Sequence, residues 1–342
     1  LSVQLALAMT ANGAGGQTLA EMEALLGGSI PLEELNEYLH TYVNGLPSGK
    51  RAALHIANSV WFRDDESRLT VEPAFLQCVA DYYAAQVYAA EFDDRTVDDI
   101  NNWVSQHTDG MIDGIINQIP PQAVMYLINA MAFDAEWEMI YRTTDLRDGT
   151  FTSASGERQA VQMMHSTESR YFETDSAVGF FKDYKGGSYS FVGILPDEGV
   201  SLHDYVAGLD AAALLQAMQK ASNGSASVTM PKFSYDYKLE MSQCLKQLGM
   251  PTAFEVYADF SGIYTPMELR ISEVLHQTHI EVGERGTRAG AATIVQLDGS
   301  GAMEDVRSIC LDRPFLYMIV DNATNLPLFI GTVTDLGDAA GQ

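Results

Sequence analysis

The chain has 342 residues, 46% of them apolar and 10% aromatic, enough to fill a sizeable core and too apolar for a disordered polymer. Forty-six acidic residues against twenty basic ones leave a formal charge of −26, which repels phosphate backbones, anionic membranes and sulfated glycans. Nucleic-acid, membrane and heparin-like partners are therefore excluded as expectations, and no apolar run approaches the roughly 18 residues that would span a bilayer.

The chain opens inside an apolar helical pattern, with Leu5, Leu7, Ala8 and Met9 ahead of a Gly-rich turn at 12–16. Residues 1–9 have neither a basic n-region nor a cleavage site and do not read as a signal peptide. Thr18 with Glu21 three positions on has the form of a helix cap leading into 19–26. The helix at 32–43 carries acids and His40 but no Lys or Arg. A strand at 53–62, a helix at 73–84, a short strand at 86–90 and a helix at 97–107 with Ile100, Trp103 and Val104 inward come next. Residues 124–133 are almost continuously apolar, as in a strand covered on both faces.

From 150 onward strands dominate, at 159–164, 169–173, 176–182 and 189–195, followed by a helix at 202–220. Strands at 225–231 and 233–239, a helix at 241–248, and strands at 275–282, 306–309, 315–320 and 328–334 complete the pattern. Helices lead and antiparallel strands follow, which predicts the α+β class. The length allows two domains, but no linker, repeat or composition shift marks a boundary, so the chain reads as one large domain, 1–342.

Catalytic and metal chemistry is weakly supported. His276 and His279 form HxxH without HExxH or further ligands, and a strand sends residues three apart to opposite faces. GLPSGK at 45–50 is one residue short of a phosphate loop and follows no strand, and no GxSxG elbow or GxGxxG turn occurs. Asp197 and Glu198 in LPDEG read as a turn. Cys78, Cys244 and Cys310 are scattered and read as buried free thiols. No enzyme site, metal site or cofactor is expected.

The informative segment is ERGTRAGAATIVQLDGSGAM, 284–303. Its Gly, Ala and Ser content is that of a loop, yet a structureless loop of about 20 residues in a compact domain is rare and usually functional. Its parity is that of a strand with one buried face. Thr287, Ala289, Ala291, Thr293, Val295 and Leu297 are uncharged, while the alternate set of Arg288, Gly290, Ala292, Ile294, Gln296 and Asp298 holds both charges.

HQTHIEVGERGTRAGAAT (276–293) resembles the hinge of the serpins, a family of serine-protease inhibitors, and DRPFLYMIVDNATNLPLFIGTV (312–333) is similar to the family's C-terminal signature. NAMAFDAEWE (129–138) matches the segment around the family's breach tryptophan, and NNWVSQHTDGMI, ILPDEG and MPKF fall in the family's order. The departures are Asp134 and Met111 where Lys is usual, and Gly290 in place of a hinge alanine. The chain starts at what resembles the second helix, so the family's first helix and first strand lie outside this sequence. The acidic, cysteine-poor composition points to a prokaryotic, bacterial member.

The resemblance implies a serpin fold of about eight or nine helices and three β-sheets, with a reactive-centre loop at about 284–305. It implies that a serine protease attacks the loop and forms an acyl-enzyme, after which the freed arm inserts as a new central strand and traps the enzyme. Hinge residues are then Glu284, Gly286, Thr287, Ala289, Ala291, Ala292 and Thr293. Trp137 resembles the breach residue, and Ser2, Asn129 and His276 resemble the shutter residues. Seventeen residues counted from Glu284 end at Ser300, which places the reactive bond at Ser300–Gly301, with Leu297 and Met303 as alternatives. A small residue before the bond suits elastase-like enzymes first and subtilisin- or chymotrypsin-like enzymes second, in a covalent 1:1 complex with a monomeric, extracellular or cell-surface inhibitor that is not itself an enzyme. The competing expectation is a non-inhibitory carrier, chaperone or storage protein, against which the small, uncharged hinge speaks.

Overall fold

The computed structural model describes residues 1–28, 30–49, 52–65, 70–264, 269–287 and 306–337. They form eight α-helices, two short 3-10 turns and fourteen strands. The chain packs into two compact units, one of Leu1–Pro47, Leu54–Ala132 and Asp236–His279, the other of Ser48–Ala53, Phe133–Tyr235 and Ile280–Gln342.

In the first unit α1 (Ser2–Ala11), α2 (Gly16–Leu26), α3 (Leu32–Gly45) and α4 (Pro73–Tyr83) share a core that includes Leu5, Met9, Met22, Leu35, Phe75 and Val79. The capping signal at Thr18 is used differently from its expected role. α2 begins at Gly16, Thr18 is buried inside the helix, and its hydroxyl accepts the Asp259 N–H at 2.9 Å. Glu21 accepts from the Thr252 N–H and hydroxyl at 2.9 and 2.6 Å. Both groups therefore serve a distant loop. β1 (Ala52–Arg63) pairs in parallel with β2 (Gln86–Ala90) on one side and neighbours β3 (Met125–Glu136) on the other. α5 (Asp94–His107) starts where Asp93 accepts the Arg95 and Thr96 N–H groups, and it buries Ile100, Trp103 and Val104.

The second unit is built on an eight-stranded sheet in which β4 (Leu146–Thr152) pairs with β5 (Arg158–Glu173), and β6 (Ala177–Asp183) and β7 (Tyr189–Pro196) follow. α6 (Leu202–Ala207) and α7 (Ala211–Gln219) replace the one expected helix, because Asp210 accepts the Ala212 and Ala213 N–H groups and starts a new one. β8 (Ser222–Pro231) pairs with β5. β9 (Phe233–Glu240) and β10 (Leu275–Val282) have residues in both units, α8 (Ser242–Gln247) belongs to the first, and the two-residue β11 (Gly286–Thr287) follows in the second. β12 (Arg307–Cys310), β13 (Phe315–Asp321) and β14 (Pro327–Val333) complete the eight-stranded sheet.

The resemblance implies three sheets, whereas the hydrogen-bond ladders join the described strands into two. β5 is the reason: it runs unbroken through 16 residues where two strands are expected, with an irregularity between Glu168 and Arg170, and so pairs with β4 at one end, β6 at the other and β8 along Met163–Tyr171 between them. Of the cysteines expected to be buried, Cys244 is exposed and Cys78 and Cys310 are half-buried. All eight residues of β7 and six of seven in β6 are buried, so strands covered on both faces form from nearly continuous apolar sequence; the charged residue buried among them is Lys182.

Candidate functional site: a hinge seated beside a buried tryptophan

The second unit gathers the predicted breach and the start of the hinge. β3 ends at Glu136, and Trp137 follows it with its side chain fully buried. The Trp137 indole donates to the Gly283 carbonyl at 2.9 Å, and its backbone N–H donates to the Arg285 carbonyl at 2.7 Å. The Tyr141 N–H donates to the Glu284 carbonyl at 2.9 Å. Three successive hinge carbonyls are thus held by two aromatic residues on the segment leaving β3.

β11 lies between β3 and β10, with Gly286 opposite Glu136, and Thr287 opposite Ala135 on one side and Val282 on the other. Thr287, predicted as the first inserting residue, is only 3% exposed. Its hydroxyl shares a 2.5 Å hydrogen bond with the Tyr184 hydroxyl, and Tyr184 stacks on Trp137 at 4.4 Å with 15° between the rings. Burial pushes the Tyr184 phenol above its ordinary pKa, so it stays neutral and able to donate or accept here.

The resemblance makes Gly286 a hinge residue, where a glycine gives the backbone freedom to turn over. The structure adds a steric demand: a Cβ there would stand 1.9 Å from the Ala135 carbonyl oxygen. Gly286→Ala must push the hinge away from β3. The expected result is a loss of about 1–3 kcal/mol, the usual cost of overpacking, read as a lower urea midpoint. An unchanged midpoint would show that this strand pair does not form in solution.

Charge fixes the hinge from outside. Glu136 accepts from Arg285 at 2.7 Å and Lys185 at 3.0 Å, and these hydrogen bonds hold its carboxyl below the usual range. Burial pushes the Glu284 carboxyl up, but its pairing with Lys232 and a backbone hydrogen bond together leave its pKa lowered. Beneath Trp137 lies a second pair that the sequence reading missed, Lys182 with Glu168 at 2.8 Å.

In the first unit Ser2, Asn129 and His276 all line one cavity of about 830 Å³. The Asn129 amide donates to Asn58 at 2.8 Å, and Asn58 donates to the Tyr83 carbonyl at 2.8 Å. His279 instead pairs with Asp236 at 2.8 Å, so the HxxH histidines have different surroundings. Burial lowers the His276 pKa. With its folded pKa below the unfolded value of about 6.5, the fold resists charging it, so stability is full above that value and falls as pH drops below it. The urea midpoint should therefore fall between pH 7.5 and 5.5 by more in the parent chain than in His276→Gln; equal slopes would remove His276 from the acid response.

Ala289, Ala291, Ala292, Thr293, Leu297, Ser300, Gly301 and Met303 lie outside the described residues.

The family model for serpins, serine protease inhibitors, matches residues 1–336, and the chain belongs to the serpin family. It is 30% identical to a serpin-like protein of Thermococcus kodakarensis over 98% of this chain and 80% of that one. Its fold is similar to the crystal structure of a thermophilic serpin, tengpin, in the native state, with a TM-score of 0.92 and 47% identity over 97% of this chain and 86% of the other. The similarity to tengpin in the latent state has a TM-score of 0.87 at 46% identity over 98% and 90% of the two chains.

Proposed function

We propose that the chain is an inhibitory serpin that traps serine proteases, elastase-like ones first, by inserting its cleaved loop between β3 and β10. The observation that carries this reading is Thr287, a small uncharged residue seated in the sheet and continued by Ala289, Ala291 and Thr293 at the same parity. Such side chains pass between packed strands at little cost, whereas a charge there would be buried without a partner. The protease serine attacks the Ser300 carbonyl, the Gly301 amine leaves, and the arm ending at Ser300 inserts before water reaches the ester. The protein acts as a consumed substrate rather than an enzyme, and as a monomer in a 1:1 complex.

Mixing the chain with elastase-, subtilisin-, chymotrypsin- and trypsin-like enzymes tests this. An SDS-resistant band at the summed mass is expected with elastase. Cleavage without any such band, for every enzyme, would establish the non-inhibitory alternative of a carrier or chaperone.

Heparin should leave the inhibition rate unchanged within about twofold at physiological salt. α3 offers Glu33, Glu34 and Glu37 to solvent, with no cation between 32 and 45. A large acceleration would show a cationic surface elsewhere.

A further inference from the structure

Lys182 is 2% exposed in a strand that is otherwise apolar or at its end, and a lone ammonium in such a place demands compensation. Glu168 supplies it at 2.8 Å from across the sheet, and the same carboxylate oxygen accepts the Ser166 hydroxyl at 2.6 Å. The Tyr141 hydroxyl is 3.2 Å from the Ser166 oxygen. The ammonium also lies 4.3 Å from the Tyr141 ring centroid and 5.4 Å from that of Trp137. These two rings belong to the residues that hold the carbonyls of Gly283, Glu284 and Arg285. One buried cation is therefore shared by both halves of the clamp.

We propose that Lys182 and Glu168 are positioning residues for loop insertion: the ammonium, fixed by the carboxylate, holds the Tyr141 and Trp137 rings by cation–π attraction, and through them keeps Thr287 at its entry point between β3 and β10. Among the described residues, neither side chain bonds to the hinge directly. Their effect travels through the rings, to which a cation lying against their faces adds an attraction beyond the packing that already buries them. The partition consequence rests on the inhibitory reading, while the positional consequence does not.

The test separates position from stability. Lys182→Met alone strands a buried carboxylate and should lower stability, which any structural pair would also do. The combined variant Lys182→Met with Glu168→Met removes both charges at similar volume, a change that is often neutral or stabilising. Its urea midpoint should equal or exceed that of the parent chain. Amide exchange at Trp137 and Tyr141, whose N–H groups are held by Arg285 and Glu284, should nevertheless quicken about tenfold, as expected of a locally released segment. The stoichiometry of inhibition should rise roughly threefold or more as cleavage outpaces insertion. Lys182→Arg, which keeps the charge, should stay within about twofold of the parent in exchange. Unchanged exchange in the combined variant overturns the proposal. Should that variant not accumulate, Glu168→Gln decides: exchange about threefold faster supports the proposal, and parental exchange overturns it. If the parent chain forms no covalent complex, the inhibitory reading fails, and exchange alone still decides whether this pair positions the hinge.

Discussion

Thr287→Arg should convert the inhibitor into a substrate. The parent side chain sits 3% exposed between two strands, bonded to the Tyr184 hydroxyl, in a pocket walled by Ala135 and Val282. An arginine there either leaves the slot, undoing the entry point, or carries an uncompensated charge into a closed sheet at a cost of about 3–5 kcal/mol. At 1.36 kcal/mol per factor of ten, insertion slows by about 10²–10⁴-fold. The bait is untouched, so acylation proceeds and the ester hydrolyses. The stoichiometry should rise above about ten with the cleavage site unchanged. Two milder variants bracket the result. Thr287→Ser keeps the hydroxyl and should inhibit as the parent does. Thr287→Val leaves the buried Tyr184 hydroxyl unpaired, a penalty of about 1–3 kcal/mol, and should fall between the two. One-to-one inhibition by Thr287→Arg would show that the buried parity starts at a different residue.

The entry of Thr287 into the sheet was legible because its physics is local: a strand buried on one face must alternate, and Thr287 opens an alternating set whose later members lie outside the described residues. Long apolar strands such as β7 were legible for the same reason. What the sequence hid depends on distant partners. Thr18 and Glu21 match a capping box and yet serve Asp259 and Thr252. β5 breaks its alternation through His165, Ser166 and Glu168, which reads as a gap between strands. The polar residues are there because Lys182 lies across the sheet and Glu168 must face it. The available signal was Lys182 itself, a lysine in AVGFFKD beside a neighbour strand with no acid, YSFVGILP, which requires a buried acid from somewhere. β4 was missed because LRDGTFT has little strand propensity, and only its pairing with β5 makes it one. At Gly286 the sequence offers only the freedom of a glycine backbone; that the Ala135 carbonyl leaves no room for a side chain depends on a strand about 150 positions away.

Trypsin-like proteases should not be inhibited at all. Between Ala289 and Val306 the sequence has no Lys or Arg, and the acidic specificity pocket of such enzymes needs a cation to fill it. A buried carboxylate left facing Ser, Leu or Met remains unpaired, and that loss is worth orders of magnitude in rate rather than a small factor. Among enzymes with neutral pockets, the length of the inserting arm decides. Cleavage after Ser300 gives an arm of seventeen residues from Glu284. Cleavage after Leu297 removes three of them, about 10 Å at roughly 3.3 Å per strand residue, so the protease is carried less far before its active site must distort. Leu297 therefore favours turnover by chymotrypsin- or subtilisin-like enzymes over trapping, while the small Ser300 suits the shallow pocket of elastase-like ones. Mass spectrometry of the C-terminal peptide released from the complex distinguishes the bonds. A peptide beginning at Gly301 is expected; one beginning at Asp298 or Glu304 moves the reactive bond to Leu297 or Met303. Tight inhibition of trypsin through any bond in 289–306 would refute the exclusion, because no residue in that span can occupy an acidic pocket.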